Sequence, residues 1–284
     1  MMERSIPVSK PFSPGSFTRD MQKPVFDRGI LWFLALVAGT IGVTYFTPTV
    51  IASLWYILLL ILYYRSDDEP MWLAFFLVTV DGFLGFMGLY SVTLKLLPGL
   101  PAIELSQFYI LLTVVKAFSR RTTYPPYYRK FLQVLGIYLL LLIAWGQLMG
   151  LSSQLNVYMR VLKTTLPFLL LYSLPRLMPD LYSFKRFFGI IFIVVLSAFA
   201  LQLFTLLTGI YPGAGILAAD EQIKESDEFR TFYNVTSTLL GLLGSLIFLS
   251  IKGKSGFNNW FLLLVLFSAA MMAVISATRG WVIA

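Results

Sequence analysis

From residue 30 onward the chain is a succession of long apolar runs, broken by short polar or proline-bearing stretches. A helix needs about 20 apolar residues to cross a hydrocarbon core roughly 30 Å thick. The first run, 30–64, is too long for one crossing and carries Thr47-Pro48-Thr49 in its middle. Proline removes a backbone donor and clashes with the preceding turn, so the run divides into helices at 30–46 and 49–64 joined by a tight turn. Further spans are predicted at 71–92, 102–118, 131–150, 156–174, 187–210, 234–251 and 259–277, nine in all. A tenth begins at Trp281 and meets the last residue, Ala284. The predicted fold is all-α: a polytopic helical membrane protein with about nine transmembrane helices and the start of a tenth.

Residues 1–29 are polar, with Pro11, Pro14 and Gly15, and lack the apolar segment of a cleaved signal. They read as a cytoplasmic tail, followed by a single transmembrane domain over 30–284. Six of the 22 Lys and Arg residues, namely Lys95, Arg160, Lys163, Lys224, Arg230 and Arg279, fall outside when the N-terminus is placed in the cytoplasm. The others fall in the tail and the inner loops, Arg65, Lys116, Arg176, Lys185 and Arg186 among them. That asymmetry satisfies the positive-inside rule. The net charge of +8 is then inner-face charge meeting anionic lipid, and nucleic acid is not implied.

Composition narrows the chemistry. Of 284 residues, 58% are hydrophobic and 13% charged, against roughly 25% charged in soluble domains. Histidine and cysteine are both absent. Zinc and haem ligation, histidine-dependent triads and disulfides therefore lack their residues, and no cofactor or metal is expected.

The candidate chemistry is basic and outward-facing. Outside the tail, the acidic residues concentrate at Asp220, Glu221, Glu225, Asp227 and Glu228, in an outer loop over 211–233 that ends in Phe229-Arg230-Thr-Phe-Tyr233-Asn234. The last span ends in Ser276-Ala-Thr278-Arg279-Gly280. A helical hairpin returns Arg230 and Arg279 to one membrane depth, where planar guanidinium groups suit a phosphate. Each alone reads equally as a side chain snorkelling to the interface. Arg160 and Lys163, one turn apart near the outer end of the sixth span, are secondary anion contacts. Asp81, ten residues into the third span and followed by Gly82, Gly85 and Gly88, is an intramembrane carboxylate. It serves either a proton or cation relay or a structural pairing.

On Arg230 with Asn234, and on Ser276-Ala-Thr278-Arg279-Gly280, the chain resembles the bacterial O-antigen polymerase and O-antigen ligase family. The short opening hairpin and basic inner loops are similar too. The resemblance implies a membrane glycan transferase in surface polysaccharide assembly at the bacterial inner membrane, acting on a polyprenyl-pyrophosphate-linked glycan at the outer leaflet. It implies that Arg230 and Arg279 clamp the pyrophosphate and neutralise the leaving group's charge as the glycosidic bond breaks. The family's general base is thought to be a histidine in a large outer loop after the Arg-Gly stretch, and this chain has neither. Two readings follow. One is a truncated N-terminal part that binds donor without completing transfer; the other is a complete chain with Asp227 or Glu228 as base. From other functional classes come a transporter using Asp81 and a non-catalytic membrane scaffold.

Overall fold

The computed structural model describes residues 28–80, 93–94, 103–119, 126–150, 165–208, 235–251 and 256–275. Nine α-helices lie among them: Arg28–Phe46 (α1), Thr49–Arg65 (α2), Glu69–Val80 (α3), Leu105–Ser119 (α4), Pro126–Leu148 (α5), Leu170–Leu177 (α6), Leu181–Thr208 (α7), Val235–Ser250 (α8) and Asn259–Ile275 (α9). A 3-10 turn at Leu166–Leu169 leads into α6. Each helix falls within, or within a few residues of, a stretch expected to be helical from its apolar run. A two-residue antiparallel pairing, Thr93 with Glu104 and Leu94 with Ile103, closes the connection between α3 and α4.

The opening hairpin turns at Pro48 as its sequence requires. Thr47 ends α1 with both its N–H and its hydroxyl bonded to Val43 O, and Ala52 N–H bonds Pro48 O as α2 begins. Gly39 lets the Trp55 ring approach, and a Cβ there would lie 3.3 Å from it. Trp55 Nε1 then donates to Thr40 Oγ1 at 3.0 Å, and Thr44 shares a 2.8 Å hydrogen bond with the Tyr56 hydroxyl. Polar groups on apolar helices are thus spent on each other.

Further along, α4 packs against α6 and α2, α3 against α1, α4 and α7, and α7, α8 and α9 against one another. The α3–α7 contact joins the first group of helices to the last three. Two stretches, Arg129–Leu148 within α5 and Leu181–Thr208 in α7, are long and apolar enough to cross a membrane; the other apolar helices are shorter among the described residues. At about 1.5 Å per residue, the 28 residues of α7 extend about 42 Å.

An apolar core is surrounded by further apolar side chains on the outside, with a smaller set of polar ones buried within it. On α2, Ala52, Tyr56, Leu59 and Tyr63 recur at helical spacing and are buried, while Val50, Leu54, Ile57 and Ile61 on the other face are exposed. Leu243, Leu246, Leu264 and Phe267 are exposed on α8 and α9. Glu69, Lys116, Lys185, Gln202, Ser237, Thr238, Ser245 and Ser268 are buried instead.

Candidate functional site

Two places bear on the candidate chemistry: a cluster of charged side chains, and the hairpin whose helix ends lie nearest in sequence to Arg230 and Arg279. The first lies where α2 ends and α3 begins, at Ser66-Asp67-Asp68-Glu69-Pro70. Ser66 Oγ accepts from Asp68 N–H at 3.1 Å, and Asp68 Oδ1 accepts from Met71 N–H at 3.4 Å, so Asp68 caps α3. Pro70, whose missing N–H costs nothing in a first turn, and Glu69, favoured by the helix dipole, complete the start.

Both carboxylates reach across the fold. Arg186, near the start of α7, donates from two guanidinium nitrogens to the two Asp68 carboxylate oxygens, each at 2.8 Å. Glu69 pairs with Lys116 from the last turn of α4, and both side chains are almost wholly buried. The Lys116 ammonium also donates to Tyr63 O at 3.2 Å, which accepts from Ser66 N–H as well, and to Ser66 O, just past the end of α2. It sits 4.7 Å from the Tyr63 ring centroid, a cation–π contact. The Tyr63 hydroxyl donates to the other Glu69 oxygen at 3.2 Å. Around the pair, Tyr63, Trp72, Phe76 and Tyr109 form an aromatic box, with Phe76 and Tyr109 stacked at 4.2 Å.

The inner-face expectation for two of these cations is therefore corrected. Lys116 is only 6% exposed and Lys185, beside the Phe257 ring, only 1%. Neither is presented to lipid headgroups, because a carboxylate for Lys116 and aromatic packing for Lys185 lie inside the fold. Sequence reading placed the acidic residues chiefly in the outer loop and passed over Asp67-Asp68-Glu69. Three consecutive acids between two apolar runs were the available signal.

The second place is the open end of the α8–α9 hairpin. These helices have 16 and 17 residues and pack against each other along their length. Phe248 and Phe257 meet at the closed end with centroids 5.0 Å apart. The chain reverses between them, so Val235 and Ile275 come to the same end, away from Lys185 and Phe257. Gly241 and Gly244 bring α8 against α7: a Cβ would lie 2.8 Å from Val195 at the first and 2.4 Å from Phe188 at the second.

Asp81, Arg160, Lys163, Arg230 and Arg279 lie outside the described residues, as does the 211–233 loop. What is described is their attachment: α8 starts five residues after Arg230, and α9 ends four residues before Arg279. Among the described residues, no three His, Cys, Asp or Glu side chains come together as a metal-binding group. No family model, no curated protein and no solved structure matches the chain.

Proposed function

We propose that this chain is a multi-pass membrane protein of about nine spans, N-terminus in the cytoplasm of a bacterial inner membrane, that binds a polyprenyl-pyrophosphate-linked glycan at the outer leaflet. Apolar side chains outside as well as in the core support the membrane setting, because such a surface would leave extensive apolar area in water. The acidic and basic residues of the α2–α3 turn, the end of α4 and the start of α7 share one end of the bundle, which is the cytoplasmic end in this reading. The activity proposed is that of the O-antigen polymerase and ligase group, which Arg230 with Asn234 and Ser276-Ala-Thr278-Arg279-Gly280 resemble.

One observation carries the donor site. The α8–α9 hairpin is antiparallel with arms of nearly equal length, so the helix ends nearest in sequence to Arg230 and Arg279 lie at the same end of the bundle. Two guanidinium groups there oppose the charge of a pyrophosphate and stabilise it further as it becomes the leaving group. Arg160 and Lys163 are secondary contacts to the same headgroup.

The test is retention of polyprenyl pyrophosphate by the purified chain in lipid nanodiscs. Arg230→Ala and Arg279→Ala are expected to lose at least tenfold in affinity, with Asp81→Asn unchanged. The reverse order would replace this reading with a carboxylate-dependent transporter. Equal retention in all three variants would leave a scaffold.

A further inference from the structure

Helix α5 stands apart from the packing that joins the other helices. No described element packs along it, and none of its apolar stretch Arg129–Leu148 is buried, whereas 41% of that in α7 is. Lipid would be a sufficient neighbour for a helix that is apolar all round. This one is not, because Gln133 and Gln147 are exposed on it.

Both glutamines fall on one seam. Gln133, Gly136, Leu140, Ala144 and Gln147 follow one another at spacings of three and four residues, and all five are exposed. At 3.6 residues per turn they share an arc of about 80°. Leu140 stands at the middle of the predicted span, and each glutamine is about 10 Å from it along the helix axis. Both amides therefore lie inside a hydrocarbon core whose half-thickness is about 15 Å. Neither side-chain amide has a hydrogen-bond partner among the described residues. Lipid tails supply none, so an amide at that depth favours a protein partner in the same membrane.

A second copy of the chain meets that demand. It inserts in the same orientation and brings the same seam to the same depth. Across a two-fold axis along the membrane normal, each seam residue faces its own counterpart. Glutamine suits this symmetry: its amide carries both a carbonyl acceptor and N–H donors, so two identical amides satisfy each other. Two such pairs, about 21 Å apart along the helix, also fix the register. Gly136 and Ala144 are small enough for the two backbones to approach, and a Cβ at Gly136 would meet nothing of its own chain within 4 Å. Arg129, one turn before Gln133 on the same face, ends the seam at the inner headgroups, where anionic lipid and salt screen the two guanidinium groups.

We propose that two copies of this chain pair in parallel along α5, with Gln133 and Gln147 each hydrogen-bonded to its counterpart. The inference rests on the membrane setting given under Proposed function and is independent of the donor chemistry.

The experiment uses the full chain in its own membranes, with a single introduced cysteine and copper-phenanthroline as oxidant, because the parent has no cysteine. Leu140→Cys is expected to form a covalent dimer at least tenfold faster than Leu142→Cys, which is also exposed but on the far side of the helix. Adding Gln133→Leu and Gln147→Leu to Leu140→Cys is expected to slow the reaction at least tenfold. Equal rates at 140 and 142 report random collision and overturn the proposal, as does a Leu140→Cys product joined to a different protein. An unchanged rate without the glutamines overturns the amide pairing. If neither cysteine cross-links in a chain that resists carbonate extraction, the inference fails and the membrane reading stands. If carbonate extracts the chain, the membrane reading fails with it. Should the variant lacking both glutamines not accumulate, Gln147→Leu decides alone.

Discussion

Replacing Lys116 by Met removes one charge from a buried pair and leaves Glu69 with neutral partners such as the Tyr63 hydroxyl at 3.2 Å. Breaking a buried ion pair from one side costs about 3–5 kcal/mol, because the remaining charge stays desolvated. The ammonium also serves Tyr63 O and Ser66 O, so its loss removes those hydrogen bonds at the end of α2 as well. Glu69→Leu is milder, about 2 kcal/mol, since Lys116 keeps both carbonyls and the Tyr63 ring. The double variant Glu69→Leu/Lys116→Met removes both charges and should be less damaging than the sum of its parts, by about 2 kcal/mol. At about 2–4 °C per kcal/mol, Lys116→Met should lower the unfolding midpoint by about 10 °C. Fluorescence-detected size exclusion after heating in detergent reads this directly. A shift within 2 °C for Lys116→Met, or strict additivity in the double variant, would refute the assignment of the pair as a buried, mutually dependent clasp.

Two further substitutions test packing and geometry. Gly244→Ala places a methyl 2.4 and 2.6 Å from two Phe188 ring atoms, and Phe187, Phe192 and Phe248 confine that ring, so a net loss of about 1–2 kcal/mol is expected after the gain in helix propensity. Gly136→Ala in α5 meets nothing within 4 Å and should instead stabilise by up to about 1 kcal/mol, both read from the same heating assay. Arg186→Lys keeps the charge but replaces a two-point contact on Asp68 by a single one; a loss of about 1 kcal/mol is expected there, and none for Arg186→Lys in an Asp68→Asn background.

The helices were legible because apolar runs and Pro48 are local signals. The Pro48 turn and the edges of α1, α2, α8 and α9 fall within about two residues of where periodicity and hydropathy put them. The Glu69–Lys116 and Asp68–Arg186 pairs were not legible, because their partners stand 47 and 118 residues apart and nothing local couples them. Topology alone had Lys116 at an interface. Only the packing of α4 against α2 and α3 turns it inward, onto Glu69 and the carbonyls of Tyr63 and Ser66. Likewise, Thr238 and Ser268 look like ordinary helix hydroxyls in the sequence. Their lack of partners emerges only in the folded chain. The proposed arginine clamp came from motif and topology, and the fold contributes the hairpin that brings Val235 and Ile275 to one end.

Because the chain has no cysteine, its central claim can be tested by pairing two introduced ones, Thr236→Cys and Val274→Cys, exposed near the open end of the α8–α9 hairpin. A short membrane-impermeant bis-thiol reagent added to intact cells should join them, and polyprenyl pyrophosphate in the membrane should slow the reaction. Cross-linking only when the reagent is admitted to the cytoplasm, or none at all in folded protein, would contradict an outer-face donor site built from these two segments.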